Sequence, residues 1–188
     1  MNNSIIEIKR KDLPFKSFLT TFECILKEPE MDEQIKKVID KYGDRQKYKT
    51  NIKAQMTEWR MWHEPGFKKL ADIILDISKK ISLAKYNIEI NPNLKNLWGV
   101  KYKSEEIALS HNHWPSIWSF VYYINAPKGA PGLFFPEIGE QGGERNIEPG
   151  LLLFFEGHIK HAVRSAKFKD YRYVVSGNIK EAYKLNEV

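Results

Sequence analysis

Two of the chain's five histidines, His111 and His113, stand one residue apart at the head of "HNHWPSIWSFVYYINAP". On extended backbone a period of two points both side chains to one face, so both imidazoles can reach the same ion. The pair alone is a weak signal, because such spacing also arises by chance and on solvated edges. A third ligand must come from elsewhere, and His161 in "LLLFFEGHIKHAVRS" is the best candidate, following a very apolar run by a few polar residues. His158 in the same turn is its rival and fits a surface role better. Further on, Arg172 sits between Tyr171 and Tyr173 in "YRYVVSGNI". A buried guanidinium is costly unless an anion meets it, and its planar fork suits a carboxylate bidentately. Alternation leaves open whether Arg172 or the two tyrosines point inward.

The elements that must position these groups are of two kinds. Early in the chain, "SIIEIKR" and "FLTTFECIL" read as two strands, or a strand and an irregular edge. Met31, Ile35, Val38 and Ile39 then recur at helical spacing, with Asp32 as the expected N-cap and Gly43 as the stop. "NIKAQMTEWRMWHEPG" follows no clear period. Phe67, Leu70, Ile74, Ile77 and Ile81 trace the apolar stripe of a longer helix that should cover one face of a sheet. From Asn87 onward, short apolar runs are punctuated by Gly, Pro and Asn: "LWGVKYK", "IWSFVYYIN", "GLFFPEI", "GLLLFFEG", "HAVRSA" and "YRYVVSGNI". This texture predicts five or six strands in an antiparallel sandwich or barrel, mainly β with a helical buttress.

At 188 residues the chain fits one domain, expected over 1–188, with support over about 1–96 and a β core over about 97–180. The lone cysteine, Cys24, reads as an inert thiol in a reducing setting. The first residues lack a signal peptide's apolar region and no later window is apolar enough to span a membrane, so a cytoplasmic location is expected. A net charge of +6 leaves an anionic partner open, but the lysines are interleaved with acids, as on a solvated surface.

Taken in order, "HNHWPS", "WSFVYYIN", "GLFF", "EPGLLLFFEGHIKHAV" and "RYVVSGN" resemble the iron(II)- and 2-oxoglutarate-dependent oxygenases, in a small branch related to prolyl hydroxylases. "TNIKAQMTEW" resembles the N-terminal part of the same branch. The resemblance implies a double-stranded β-helix, a cupin-like jelly roll. It also implies Fe(II) held by His111, His113 and His161, with Arg172 binding the distal carboxylate of the co-substrate 2-oxoglutarate and the Tyr102 hydroxyl hydrogen-bonding the same co-substrate. The implied activity is hydroxylation by dioxygen, with release of succinate and carbon dioxide. The substrate class stays open among protein side chains, small metabolites and nucleotides, as does the oligomeric state. His113 departs from the pattern, which usually places Asp or Glu there; Asn112, Glu137 or a water would complete the shell if His113 did not. Asn112, Ser119, Tyr122 and Tyr123 are expected near the cavity, although Tyr122 and Tyr123 alternate, so only one of them can line it. The loop from Gly139 to Gly143 reads as a lid and the segment from Met56 to Trp62 as a rim, or equally as a solvent loop and a packing face.

Three other readings compete. The letters "HNH" also name a nuclease class, but its residues are dispersed over a ββα finger that three adjacent letters do not reproduce. A cupin-like metal enzyme that does not use 2-oxoglutarate would share the three histidines and give Arg172 no task. A non-enzymatic β-sandwich binding module would leave the order of the motifs unexplained.

Overall fold

The computed structural model describes residues 7–12, 20–44, 50–139 and 143–182. Ten strands and two α-helices follow one another as β1 (Lys9–Asp12), β2 (Thr20–Ile25), α1 (Pro29–Tyr42), β3 (Ile52–Lys53), β4 (Gln55–Met56), α2 (Pro65–Tyr86), β5 (Pro92–Tyr102), β6 (Ile107–His111), β7 (Trp118–Tyr123), β8 (Leu151–Glu156), β9 (His161–Val163) and β10 (Arg172–Glu181) among the described residues. They form a large sheet in the order β1-β2-β8-β7-β10-β5-β4 and a small one in the order β3-β6-β9. All pairings within these sheets are antiparallel.

Each face of the large sheet has its own core. In β7, Trp118, Phe120 and Tyr122 join the helices, while Val121 and Tyr123 face the other way. β8 repeats this, with Leu152 and Phe154 on the helix side and Leu151, Leu153 and Phe155 opposite. These strands are apolar on both faces because both are covered, which is why their sequences read as continuous hydrophobic runs.

The expected helical stripe is present: Phe67, Leu70, Ile74, Ile77 and Ile81 of α2 are all buried against the sheet. Burying each such side chain contributes about 1.5–3 kcal/mol. α1 begins at Pro29 rather than after Asp32, because proline presets the first-turn φ and its missing N–H would be unpaired there anyway. Asp32 lies inside the first turn, where its carboxylate accepts a hydrogen bond from the Tyr122 hydroxyl at 2.7 Å. Gly99 of β5 lets α1 lie close, since a Cβ there would stand 2.3 Å from Ile39 Cγ1.

The unassigned segment "NIKAQM" supplies β3 and β4. Conversely, "GLFFPEI" is not a ladder strand. Only Phe134 makes isolated bridges, to Glu144 and Ala162, before a 3₁₀ turn at Pro136–Ile138. Pro136, which has no N–H to give, ends the pairing there. The expected N-terminal strand overlaps β1, and its first residues, 4–6, lie outside the described residues, as do 140–142 of the expected lid. No described helix is long and apolar enough to cross a membrane.

Candidate metal centre

The small sheet places two of the histidines by direct pairing. β6 ends at His111 and β9 begins at His161, and the two residues stand opposite one another in the antiparallel register. His113 lies beyond the end of β6, where its backbone N–H donates to the Gly157 carbonyl at 2.7 Å. Gly157 is the residue that permits this approach: a Cβ there would stand 2.2 Å from the Ser116 carbonyl oxygen. The loop carrying His113 is thereby held against the end of β8, whose Phe155 ring is 4.7 Å from His161.

One ring nitrogen from each of His111, His113 and His161 comes within 4.8 Å of the others. Nδ1 of His111 lies 2.6 Å from the Leu109 carbonyl oxygen, and Nδ1 of His161 lies 3.1 Å from that of Ile159. A carbonyl only accepts, so each Nδ1 carries the proton and each Nε2 keeps its lone pair. Burial also favours the neutral ring. It pushes His113 down to about 3, assisted by His111 and Lys95. It lowers His111 and takes His161 well below the ordinary imidazole value. Three neutral imidazoles, two of them fixed by carbonyls behind them, make a donor set for a transition metal with open positions.

The same cavity holds Arg172. The residue is 1% exposed, so Arg172 faces the interior and Tyr171, 38% exposed, does not. Its register partner is Tyr102 on β5, and the guanidinium lies 4.2 Å from the centre of that ring. One Nη donates to the Pro131 carbonyl, while Nε has no protein partner. No described carboxylate pairs with Arg172 at ion-pair distance, although a buried charge ordinarily requires such a partner. Burial pushes the neighbouring phenols of Tyr102 and Tyr123 up to about 12, so both are neutral.

Two adjoining spaces result. An inner cavity of about 40 Å³ is lined by Tyr102, Tyr123, Arg172 and the three histidines, among others, which exceeds the roughly 10–15 Å³ that one water needs. An outer cleft of about 470 Å³ is lined by Trp59, Asn96, Trp98, His111, Asn112 and His113, among others. The wall the two share consists of Ile52, Trp98, His111 and His113.

The expected neighbours divide as strand alternation requires. Tyr123 lines the inner cavity, and its hydroxyl accepts the Leu133 N–H at 3.1 Å. Tyr122 does not line it; the opposite parity sends it to the helix-side core. Ser119 shares Tyr123's face but lies at the far end of the strand, bonded to Asn178 at 2.7 Å, and lines neither space. Asn112 lines the outer cleft. His158 is exposed, as is Glu137, and neither belongs to the histidine cluster. The Met56–Trp62 segment does both things expected of it: Met56 and Met61 are buried, and Trp59 lines the cleft with its ring 4.9 Å from Trp98. Trp98, Asn96 and Gly157 were not singled out from sequence. Their signal was the alternation Asn96, Trp98, Val100, Tyr102 and the glycine ending an apolar strand.

No protein-family model matches the chain, and no curated protein sequence matches it. Solved structures do. The chain is similar to a viral collagen prolyl hydroxylase of Paramecium bursaria Chlorella virus-1 in its 2-oxoglutarate complex, at TM-score 0.62 and 15% identity, over 83% of this chain and 92% of that one. It is similar to a Pseudomonas putida prolyl-4-hydroxylase at TM-score 0.62 and 13% identity, over 87% of this chain and 93% of that one. The third is HygX from Streptomyces hygroscopicus with nickel and 2-oxoglutarate bound, at TM-score 0.61 and 9% identity, covering 86% and 83%. At these identities the likeness is one of fold, and the chain shares that fold.

Proposed function

We propose that the chain is a non-haem iron(II)- and 2-oxoglutarate-dependent dioxygenase of the hydroxylase type, built as a single double-stranded β-helix domain over 1–188. The observation that carries this reading is a buried guanidinium without a carboxylate partner among the described residues, in the same cavity as three convergent, neutral imidazoles. His111, His113 and His161 would hold the ferrous ion, and Arg172 would take the distal carboxylate of 2-oxoglutarate. When bound, iron and 2-oxoglutarate supply the oxidation of a substrate C–H to C–OH by dioxygen, coupled to the conversion of 2-oxoglutarate to succinate and carbon dioxide.

The chain's own residues bind, orient and shield. The Leu109 and Ile159 carbonyls fix two imidazole tautomers, so the metal-facing lone pairs are set before any ion arrives. The centre of the Tyr102 ring lies 4.2 Å from the guanidinium carbon and gives the buried charge a cation–π contact. Val121, Leu133, Phe155, Val163 and Val174 complete an apolar wall that keeps water from the reacting bond. With His113 in place of a carboxylate, the protein contributes no negative charge to the ion. Imidazole still suits iron, nickel and zinc, whereas manganese and magnesium lose the oxygen donor they prefer.

A metal enzyme that does not use 2-oxoglutarate would leave Arg172 buried without purpose, and a binding module would not need three histidines at one point. The test needs no substrate: ferrous protein incubated with 2-oxoglutarate and air should form succinate slowly. His161→Ala should abolish this and His158→Ala should not. Equal succinate from parent and His161→Ala protein would sink the assignment.

A further inference from the structure

One face of β5 runs the length of the site, and the register gives each of its residues a neighbour on β10. Tyr102 pairs with Arg172, Val100 with Val174, Trp98 with Ser176, and Asn96 with Asn178. On the other side of β10, Ser119 of β7 stands beside Asn178. The wall therefore changes chemistry row by row, from guanidinium and phenol at the inner end to a polar ladder at the outer end.

In that ladder, Ser119 Oγ donates to Asn178 Oδ1 and Asn178 Nδ2 donates to Asn96 Oδ1, each at 2.7 Å. The side-chain oxygen of Asn96 is thus engaged, and Nδ2 remains as a donor on a residue that lines the outer cleft. Asn112, on the loop between the first two histidines, engages its own Oδ1 with the Trp114 N–H and likewise leaves Nδ2. On the same face of β5 as Asn96, Trp98 is 2% exposed, lines both spaces and has no partner for Nε1 among the described residues. A buried indole N–H ordinarily finds an acceptor. Lys53 also lines the cleft, and no described Asp or Glu does.

We propose that the outer cleft selects a substrate bearing a carboxylate, which Trp98 Nε1, Asn96 Nδ2 and Asn112 Nδ2 bind as donors. This rests on the reading above, which assigns the inner cavity to 2-oxoglutarate and leaves the cleft to the substrate. A carboxylate only accepts, so it can satisfy all the free donors at once. An ammonium group would find no counter-charge beside a doubly charged metal whose protein ligands are neutral. Ser119 and Asn178 act as positioning residues that orient the Asn96 amide.

The test uses ¹⁵N-labelled protein loaded with zinc, which prevents turnover, and saturated with 2-oxoglutarate. N-acetylglycine, its methyl ester, acetyl-Gly-Asp-Gly-amide and acetyl-Gly-Lys-Gly-amide are titrated in turn. The Trp98 indole resonance, assigned with Trp98→Phe, and the two side-chain amides report binding. The acids should shift these signals and bind more tightly than the ester or the lysine peptide. Binding by N-acetylglycine alone identifies a small acid, and binding by the aspartyl peptide as well identifies an acidic peptide; either supports the proposal. Asn96→Asp should weaken the acids about tenfold or more, as expected for losing a hydrogen bond to a charged group. Asn112→Asp, on an exposed loop outside the core, should act in the same direction. Shifts with none of the probes, equal binding of ester or lysine peptide, or affinity unchanged in both variants would overturn it. Calorimetry of 2-oxoglutarate on the same zinc protein reads the inner cavity separately, so its failure counts against the enzyme assignment and not against the cleft.

Discussion

Replacing Arg172 by methionine should have opposite effects on the empty and the loaded protein. Arg172 is 1% exposed, has no described carboxylate partner and leaves Nε without an acceptor. In the ligand-free protein it is therefore a buried charge held by one Pro131 carbonyl and the face of Tyr102. Exchanging buried ionic groups for apolar residues of similar volume is often neutral or stabilising by about 1–4 kcal/mol. The Pro131 carbonyl loses a donor, which costs about 1–3 kcal/mol. The two effects oppose one another, so Arg172→Met should change the stability of the ligand-free protein by no more than about 3 kcal/mol. With 2-oxoglutarate the balance reverses. Removing one partner of a buried, hydrogen-bonded charge pair costs about 2–5 kcal/mol, or roughly 30- to several-thousand-fold in affinity. The parent at a hundred times its Kd should gain about 2.7 kcal/mol on adding ligand, and the variant at the same concentration should gain well under half of that. Urea denaturation of the zinc-loaded proteins, with and without 2-oxoglutarate, measures both terms. A variant that loses more than about 4 kcal/mol without ligand, yet gains as much as the parent on adding it, would refute the reasoning.

Acid should destabilise the metal-free protein through its histidines. Their folded values lie below the unfolded one of about 6.5, so the unfolded chain binds more protons as pH falls and stability is lost below about 6.5 toward about 3. Urea midpoints from neutral to acidic pH should show this slope, at most about 1.4 kcal/mol per pH unit for each histidine, and His161→Gln should flatten it; an unchanged slope would count against a buried neutral His161. Gly157→Ala puts a methyl 2.2 Å from the Ser116 carbonyl oxygen and must displace the loop holding His113; zinc affinity, read by competition with a chelator, should fall about 10–100-fold with the fold retained. Gly99→Ala forces a methyl to 2.3 Å from Ile39 on the helix side instead; it should destabilise by about 1–3 kcal/mol in urea and leave zinc affinity unchanged.

Sequence periodicity revealed the parts of this molecule that depend on local rules. The stripe from Phe67 to Ile81 specifies α2 because an uninterrupted 3.6-residue repeat has few other solutions. The apolar runs of β7, β8 and β10 are strands because their residues suit a sheet covered on both faces. What periodicity leaves open is which face is which. Tyr122 and Tyr123 are chemically alike, and only the packing of α1, with Asp32 meeting the Tyr122 hydroxyl, decides which of them enters the cavity. Arg172 has the same ambiguity, resolved by its pairing with Tyr102 across two strands. The histidines were legible as a set, but the pairing of His111 with His161 depends on a register between β6 and β9 that no local pattern encodes. β6 itself is half exposed, and its short sequence carries little strand signal. The ladder Ser119–Asn178–Asn96 is spread over three strands and becomes visible only when those strands are side by side.

The proposed dioxygenase binds iron and 2-oxoglutarate in one cavity, through three histidines and Arg172. Anaerobic protein mixed with ferrous ion should develop, on adding 2-oxoglutarate, the weak visible charge-transfer band of a keto-acid chelated to iron. The band should appear in the parent, be absent in His161→Ala, and in Arg172→Met need far more 2-oxoglutarate to reach half its height. No band in the folded parent protein at saturating iron and 2-oxoglutarate would contradict it.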